Sequence, residues 1–269
     1  MTLHAKGGAK TADHPETGAP AEVSQGDAYQ LYFRSGFYDR RYPSPNRSMW
    51  RRIERKLSPE KSVLDFGCGS GRYLLRLRGL VRRAIGFDVS PAALETLRQR
   101  ADAQGWGALV ILGPDPAALD AHVKEEGPVD LVLCLFGVVG HITDPDTRAE
   151  ALVRMRKALK PGSGRLLISV PNRARRFRAE QAEAGGALVR YERHTEEGAR
   201  VVLDYQLFDP PMLVRELSQA GFTLRRMSCE SVLPETWLLH NAALRWLDGL
   251  LTPWCPTRWG YGIYAEASC

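Results

Sequence analysis

Along the chain, short, mostly apolar runs alternate with longer stretches whose apolar positions recur every three or four residues. The short runs lie near Ser62–Phe66, Arg83–Asp88, Leu109–Leu112, Leu131–Leu135 and Arg165–Val170. Each is the length of a buried strand. Helical patterns fill the intervals near Gly71–Leu80, Pro91–Gln104, Pro116–Glu125 and Pro145–Leu159. Ser90-Pro91 and Asp144-Pro145 each set a capping side chain before a proline at the first helical position. Leu159-Lys160-Pro161-Gly162 reads as a helix stop. This alternation predicts an α/β fold with a mostly parallel sheet and helices on both faces.

The pattern changes after Pro171. Leu188–His194 and Arg200–Gln206 each alternate apolar with polar residues and flank Glu196-Glu197-Gly198, which reads as a β-hairpin. A helix near Pro211–Ala220, a strand near Thr223–Glu230, a further helix and a last apolar run, Gly260–Glu266, complete the chain. At the other end, residues 1–25 are rich in Gly, Ala, Thr and Pro and read as a disordered tail. They lack the apolar central segment of a signal peptide.

The chemistry is concentrated where the first apolar run ends. Val63-Leu64-Asp65-Phe66-Gly67-Cys68-Gly69-Ser70-Gly71-Arg72 reads as a strand running into a glycine turn, and the next strand closes on Asp88. Glycines let a ligand approach the backbone, and an acid at the neighbouring strand tip is placed to hold a ribose diol. A dinucleotide fingerprint needs a small residue where Arg72 stands. An acid at Asp65 would also repel a pyrophosphate and suit a cation. These features argue against a nicotinamide-dependent dehydrogenase.

The Asp-x-Gly-x-Gly-x-Gly pattern resembles motif I of the class I S-adenosylmethionine-dependent methyltransferases. Asp130-Leu131-Val132-Leu133-Cys134-Leu135-Phe136 is similar to their motif IV, and Leu159-Lys160-Pro161-Gly162 is another common family feature. The resemblance implies a Rossmann-like, seven-stranded sheet whose final strand is reversed, with S-adenosyl-L-methionine as cofactor and S-adenosyl-L-homocysteine as product. By resemblance, Asp65 contacts the amino-acid end of the cofactor and Asp88 the ribose. Gly67, Cys68, Gly69 and Val89 belong to the same binding stretch, and Asp115 is the candidate near the adenine. Leu135, Phe136, Gly137 and His141 fall near the transferable methyl. His141 is a candidate base, with capping or orienting the following helix as the alternative.

The implied division is a tail (1–25), a helical lid (26–60), a cofactor-binding core (61–172), a substrate-side insert (173–207) and a completion of the sheet (208–269). The lid holds Tyr32, Phe33, Phe37, Tyr38, Tyr42 and Trp50. Tyr32 and Tyr38 are candidates to approach the cofactor, or rings that pack on the core. In the insert, Tyr191, Arg193, His194 and Tyr205 either line the acceptor pocket or stand exposed on the hairpin, and Tyr191 is the second catalytic candidate.

Composition adds limits. With 269 residues, 44% apolar and 25% charged, the chain can bury a large core, and no apolar run reaches the ~18 residues that cross a bilayer. Five cysteines without a C-x-x-C pair suit a reducing compartment, so a cytoplasmic location is expected. The charge is +6, with Arg173, Arg175, Arg176 and Arg178 clustered after the fifth strand. That cluster could meet RNA or an anionic lipid, or form a solvated helix face. The tryptophan-rich stretch Trp237–Trp259 is expected to pack on the core, with a membrane-touching or dimerising helix as the alternative. A small-molecule acceptor is the leading expectation. A tRNA or lipid methyltransferase, and a regulatory or scaffolding protein that binds the cofactor without turnover, remain alternatives.

Overall fold

The computed structural model describes residues 25–194, 198 and 200–269. The expected tail therefore lies outside the described residues except for Gln25, as do Glu196 and Glu197 of the hairpin turn. Five parallel strands come first: β1 (Ser62–Phe66), β2 (Arg83–Phe87), β3 (Val110–Leu112), β4 (Leu131–Cys134) and β5 (Arg165–Pro171). The hairpin strands β6 (Leu188–His194) and β7 (Arg200–Gln206) form a sheet of their own. The strands β8 (Thr223–Cys229) and β9 (Gly262–Ser268) join the first five in the order β3-β2-β1-β4-β5-β9-β8. The last strand, β9, runs antiparallel to both neighbours, as the resemblance implies.

Helices α1 (Gln25–Arg34), α2 (Phe37–Arg41) and α3 (Arg47–Glu54) precede the sheet. Between its parallel strands lie α4 (Pro91–Ala103), α5 (Pro116–Glu126) and α6 (Pro145–Ala158). The remainder are α7 (Arg178–Ala184), α8 (Pro210–Gln219), α9 (Glu235–His240) and α10 (Ala242–Leu251). The caps read from sequence form: Ser90 accepts from the Ala93 N–H, and Asp144 from the Thr147 N–H. Alternate residues of each central strand enter opposite cores. Leu64, Phe66, Val132 and Ile168 face α6 and α8 through Leu152, Met155, Leu213 and Leu217. Val63, Leu131, Leu133 and Leu167 face α3 and α4 through Met49, Ile53, Leu94 and Leu97. Strand order reverses between β1 and β4, which leaves a crevice at their C-terminal ends.

Four expectations change. The helix expected over Gly71–Leu80 is a single 3₁₀ turn, Leu74–Leu77. Positive φ at Gly71 (93°) and Gly79 (74°) breaks the chain on both sides of it. The last strand starts at Gly262 rather than Gly260, because the Asn172 amide takes the Gly260 carbonyl at 2.7 Å. The tryptophans of the Trp237–Trp259 stretch face outward instead of packing on the core, with Trp246 67% and Trp254 84% exposed, although Leu238 of the same stretch is buried. Asp248 is the residue α10 buries, and its carboxylate accepts the Val232 and Leu233 N–H groups. The arginine cluster is no single helix face, because Arg173 to Arg176 precede α7 and diverge. Arg173 meets Gln181, Arg175 the Trp259 carbonyl and Arg178 the Ala174 carbonyl. Among the described residues, no helix is long and apolar enough to cross a membrane.

Candidate active site

The glycine turn after β1 is drawn against the end of β2. Gly67 and Cys68 donate to the Phe87 carbonyl at 2.7 and 3.0 Å. The Gly69 N–H reaches Asp88 Oδ2 at 2.8 Å, and the Ser90 N–H reaches Oδ1 at 2.9 Å. Gly69 needs its positive φ (53°) to present that N–H, and the Phe33 ring closes over it. Each Asp88 oxygen thus has one protein donor, and a carboxylate oxygen can accept a further bond. Burial raises the Asp88 carboxyl above its ordinary range, while the Ser90 and Gly69 N–H groups hold it back.

Asp65, next to this turn on β1, is 3% exposed. Its Oδ2 is buried without a hydrogen-bond partner. Burial, with the Asp88 charge added, pushes its carboxyl up to about 7, against a lowering by the Leu74 N–H. Among the described residues, no cationic side chain pairs with it. Such an oxygen is costly to leave alone and is suited to a ligand cation. Cys68 is buried, and burial raises its thiol well above the usual range, which leaves a spacer rather than a nucleophile. Val89 is exposed at the corner beyond Asp88. Asp115 is also exposed, and caps α5 through the Ala117 N–H.

The N-terminal helices lie across this crevice. Gln30 of α1 accepts from the Ala92 N–H at 3.0 Å, beside the Asp88 corner. Asp39 of α2 ties the Ser70 hydroxyl to Arg100. Tyr38 packs between Phe33, Tyr42 and Phe136, whereas Tyr32 is buried against Val201 and Leu203 of β7. Leu135 is buried, and Phe136 adopts φ 65° with its N–H on Ser169 Oγ at 2.8 Å. Arg72 lies 4.4 Å from the centre of the Phe136 ring and pairs with Glu235.

The hairpin seats on the loop after β4. A Cβ on Gly137 would collide with the Tyr205 hydroxyl, so the glycine there admits the insert. His141 lies between Tyr205 and Tyr29, with ring centres at 4.2 and 4.9 Å. Burial and the Arg176 charge push it down to about 3, so it stays neutral across the physiological range. Tyr191 stacks on Phe177 at 5.0 Å.

Beyond Phe136 opens a cavity of about 360 Å³. Its walls come from α2, the loops after β4 and β5, the hairpin, and the segment after β8. Neither His141 nor Tyr191 lines it, although their neighbours Arg176, Phe177 and Arg193 do. Glu230, at the end of β8, lines it as well. Its Oε1 is buried without a hydrogen-bond partner. Burial and then the Glu235 charge push the Glu230 carboxyl up to about 7, partly offset by Ser169, Arg176 and Arg52. Sequence reasoning passed over Glu230 because a single acid at a strand end carries no spacing signal.

A family model described as a methyltransferase domain matches residues 38–226. The chain is 29% identical over 123 residues to methyltransferase ungE' of Aspergillus campestris, covering 45% of this chain and 35% of that protein. It is 28% identical over 182 residues to a tRNA U34 carboxymethyltransferase of Methylococcus capsulatus, covering 66% of this chain and 50% of that protein. The matches thus span half or less of the length of these curated relatives. Among solved structures, a SAM-dependent methyltransferase of Methanosarcina mazei superposes with a TM-score of 0.59 at 17% identity, covering 80% of this chain and 95% of that one. That likeness is one of fold.

Proposed function

This chain belongs to the methyltransferase-domain family, within the class I S-adenosylmethionine-dependent methyltransferases, and we propose that it methylates an oxygen or nitrogen of a small-molecule acceptor. The observation that carries the cofactor assignment is the buried, unpartnered Oδ2 of Asp65 beside Asp88. It complements the ammonium of a bound S-adenosylmethionine, while Asp88 accepts from the ribose hydroxyls through lone pairs its two N–H bonds leave open. Tyr38 and Phe136 wall the side of the crevice from which the acceptor approaches. The cavity beyond Phe136 holds the acceptor, and its volume lies within the range of small-molecule sites.

S-adenosylmethionine supplies an already activated methyl group, so the protein's work is alignment, exclusion of water and removal of one proton. Glu230 is placed for that proton. It lines the cavity and is about half ionised near neutral pH. Transfer would form the bond from the acceptor oxygen or nitrogen to the methyl carbon as the methyl–sulfonium bond breaks and S-adenosylhomocysteine leaves, and the acceptor's proton would pass to Glu230 and from there to solvent. His141 is too weak a base and lies outside the cavity, so it acts by holding the Tyr205 ring against the loop after β4. Calorimetry with S-adenosylmethionine and NAD, side by side, tests the cofactor assignment. Micromolar binding of the first and none of the second is expected. Binding of NAD alone would overturn it.

A further inference from the structure

The same cavity carries an excess of guanidinium groups. Arg41, Arg176, Arg178 and Arg193 line it from α2, the chain after β5 and the hairpin. Among the described residues, none of the four has a carboxylate within ion-pair distance. The acids on the wall do not answer them. Glu235 is taken by Arg72, and Glu230, held near half ionisation by burial, supplies only part of a charge. Glu180 of α7 pairs with none of the four.

Arg176 is the most informative of the four. It is half-buried between three rings, 5.3 Å from the centre of Phe177, 5.5 Å from Tyr205 and 5.0 Å from Tyr261. Its Nε is buried without a hydrogen-bond partner, while another part of the guanidinium meets the Tyr205 hydroxyl. A guanidinium carries five N–H donors in a planar fork that matches two oxygens of one anion. Aromatic packing on its faces leaves only the edge for such a partner. The other three partly satisfy themselves on neighbouring oxygens: Arg41 on the Tyr42 hydroxyl at 3.1 Å, Arg178 on the Ala174 carbonyl at 3.1 Å, and Arg193 on the Glu192 carbonyl at 2.8 Å. Each keeps donors to spare.

We propose that the methyl acceptor is an anion whose carboxylate or phosphate group is held by Arg176, with Arg41 and Arg193 supplying further donors from the opposite walls. This inference rests on the methyltransferase reading of the adjoining crevice, because that reading makes this cavity the acceptor site. An anion held by a fork is fixed in orientation as well as position, which a transfer that depends on alignment requires. The Tyr42, Phe136 and Tyr261 rings give the remainder of such a molecule an apolar wall. The positive charge of the chain is thereby used inside a pocket, rather than on the open face that a nucleic-acid backbone would need.

The test uses the full chain saturated with S-adenosylhomocysteine, titrated by calorimetry with benzoate, phenyl phosphate and benzamide. At least one of the two anions should bind ten times tighter than benzamide or more. Its affinity should fall at least tenfold in Arg176→Gln and by a smaller factor in Arg193→Gln. The tighter of benzoate and phenyl phosphate assigns the anion as carboxylate or phosphate. Equal binding of anions and amide, no binding of either anion, or anion binding unchanged in Arg176→Gln would each overturn the proposal. S-adenosylhomocysteine is titrated separately into wild type and both variants. Its unchanged affinity reports intact folding, and its failure to bind wild type would count against the cofactor assignment instead.

Discussion

Replacing Asp65 with Asn should stabilise the ligand-free protein while weakening its hold on S-adenosylmethionine. The carboxyl titrates at 3.8 in the unfolded reference and at about 7 in the fold, where the side chain is 3% exposed. Each pKa unit is about 1.36 kcal/mol. Because the folded value lies above the unfolded one, the native state binds the proton more tightly. The group costs nothing below the unfolded value, its cost grows as pH rises through the window to about 7, and it is constant above that. The penalty comes to about 2 kcal/mol at about pH 5 and about 4 kcal/mol at about pH 8.5. An asparagine still accepts from the Leu74 N–H but has no charge to desolvate. Urea unfolding of both proteins without cofactor measures the difference. The advantage of the variant should widen by about 2–3 kcal/mol from the acid to the alkaline condition. A gap independent of pH, or a variant less stable than wild type at about pH 8.5, would refute the reasoning. In parallel calorimetry, loss of the charged partner should weaken S-adenosylmethionine by about tenfold or more.

Four further outcomes follow from the same geometry. Asp88→Ala removes the acceptor for the Gly69 and Ser90 N–H groups and the proposed acceptor for the ribose, so cofactor binding should weaken by about 1.5–3 kcal/mol, read by calorimetry. With an acceptor in hand, wild-type kcat should rise with pH through about 7 as Glu230 loses its proton. Glu230→Gln should lower kcat about 10²–10⁴-fold and abolish that limb, whereas a retained limb would assign the base elsewhere. His141→Gln should keep the limb in place, since a group titrating at about 3 does not produce it. A limb lost in this variant would restore His141 as the base. Glu235→Gln leaves the Arg72 guanidinium buried without its charge partner and should cost about 3–5 kcal/mol in urea unfolding; a loss under ~1 kcal/mol would mean that the pair is solvated.

The sheet was legible because its central strands β1, β4 and β5 are buried on both faces and are therefore written mostly in apolar residues. The hairpin was legible for the opposite reason. It has one wet face, so Leu188–His194 and Arg200–Gln206 alternate, and the observed strands keep those bounds. Caps such as Ser90-Pro91 located helix starts because their chemistry is local. The turn over Leu74–Leu77 misled because its leucines have helical spacing, while glycines on both sides impose positive φ. The exposed Trp246 and Trp254 misled in a related way: a stripe of apolar residues states that a helix has two faces, not which one is covered.

The candidate site divides along the same line. Asp65, Gly69 and Asp88 were readable because two adjacent parallel strands and one turn bring them together, and local spacing encodes such a meeting. The proposed acceptor cavity is assembled from Arg41, Phe136, Arg176, Arg193 and Glu230, which are contributed by separate segments and meet only after the sheet has formed. No spacing rule joins residues that share only an end of a sheet. His141 illustrates the consequence. Sequence placed it correctly after β4, yet its chemistry is set by Tyr29, Tyr205 and Arg176, which arrive from α1, the hairpin and the loop after β5. Their packing withholds the proton that its residue type promised. The same convergence gives Glu230, an ordinary acid in the sequence, the titration range that a base at this position needs.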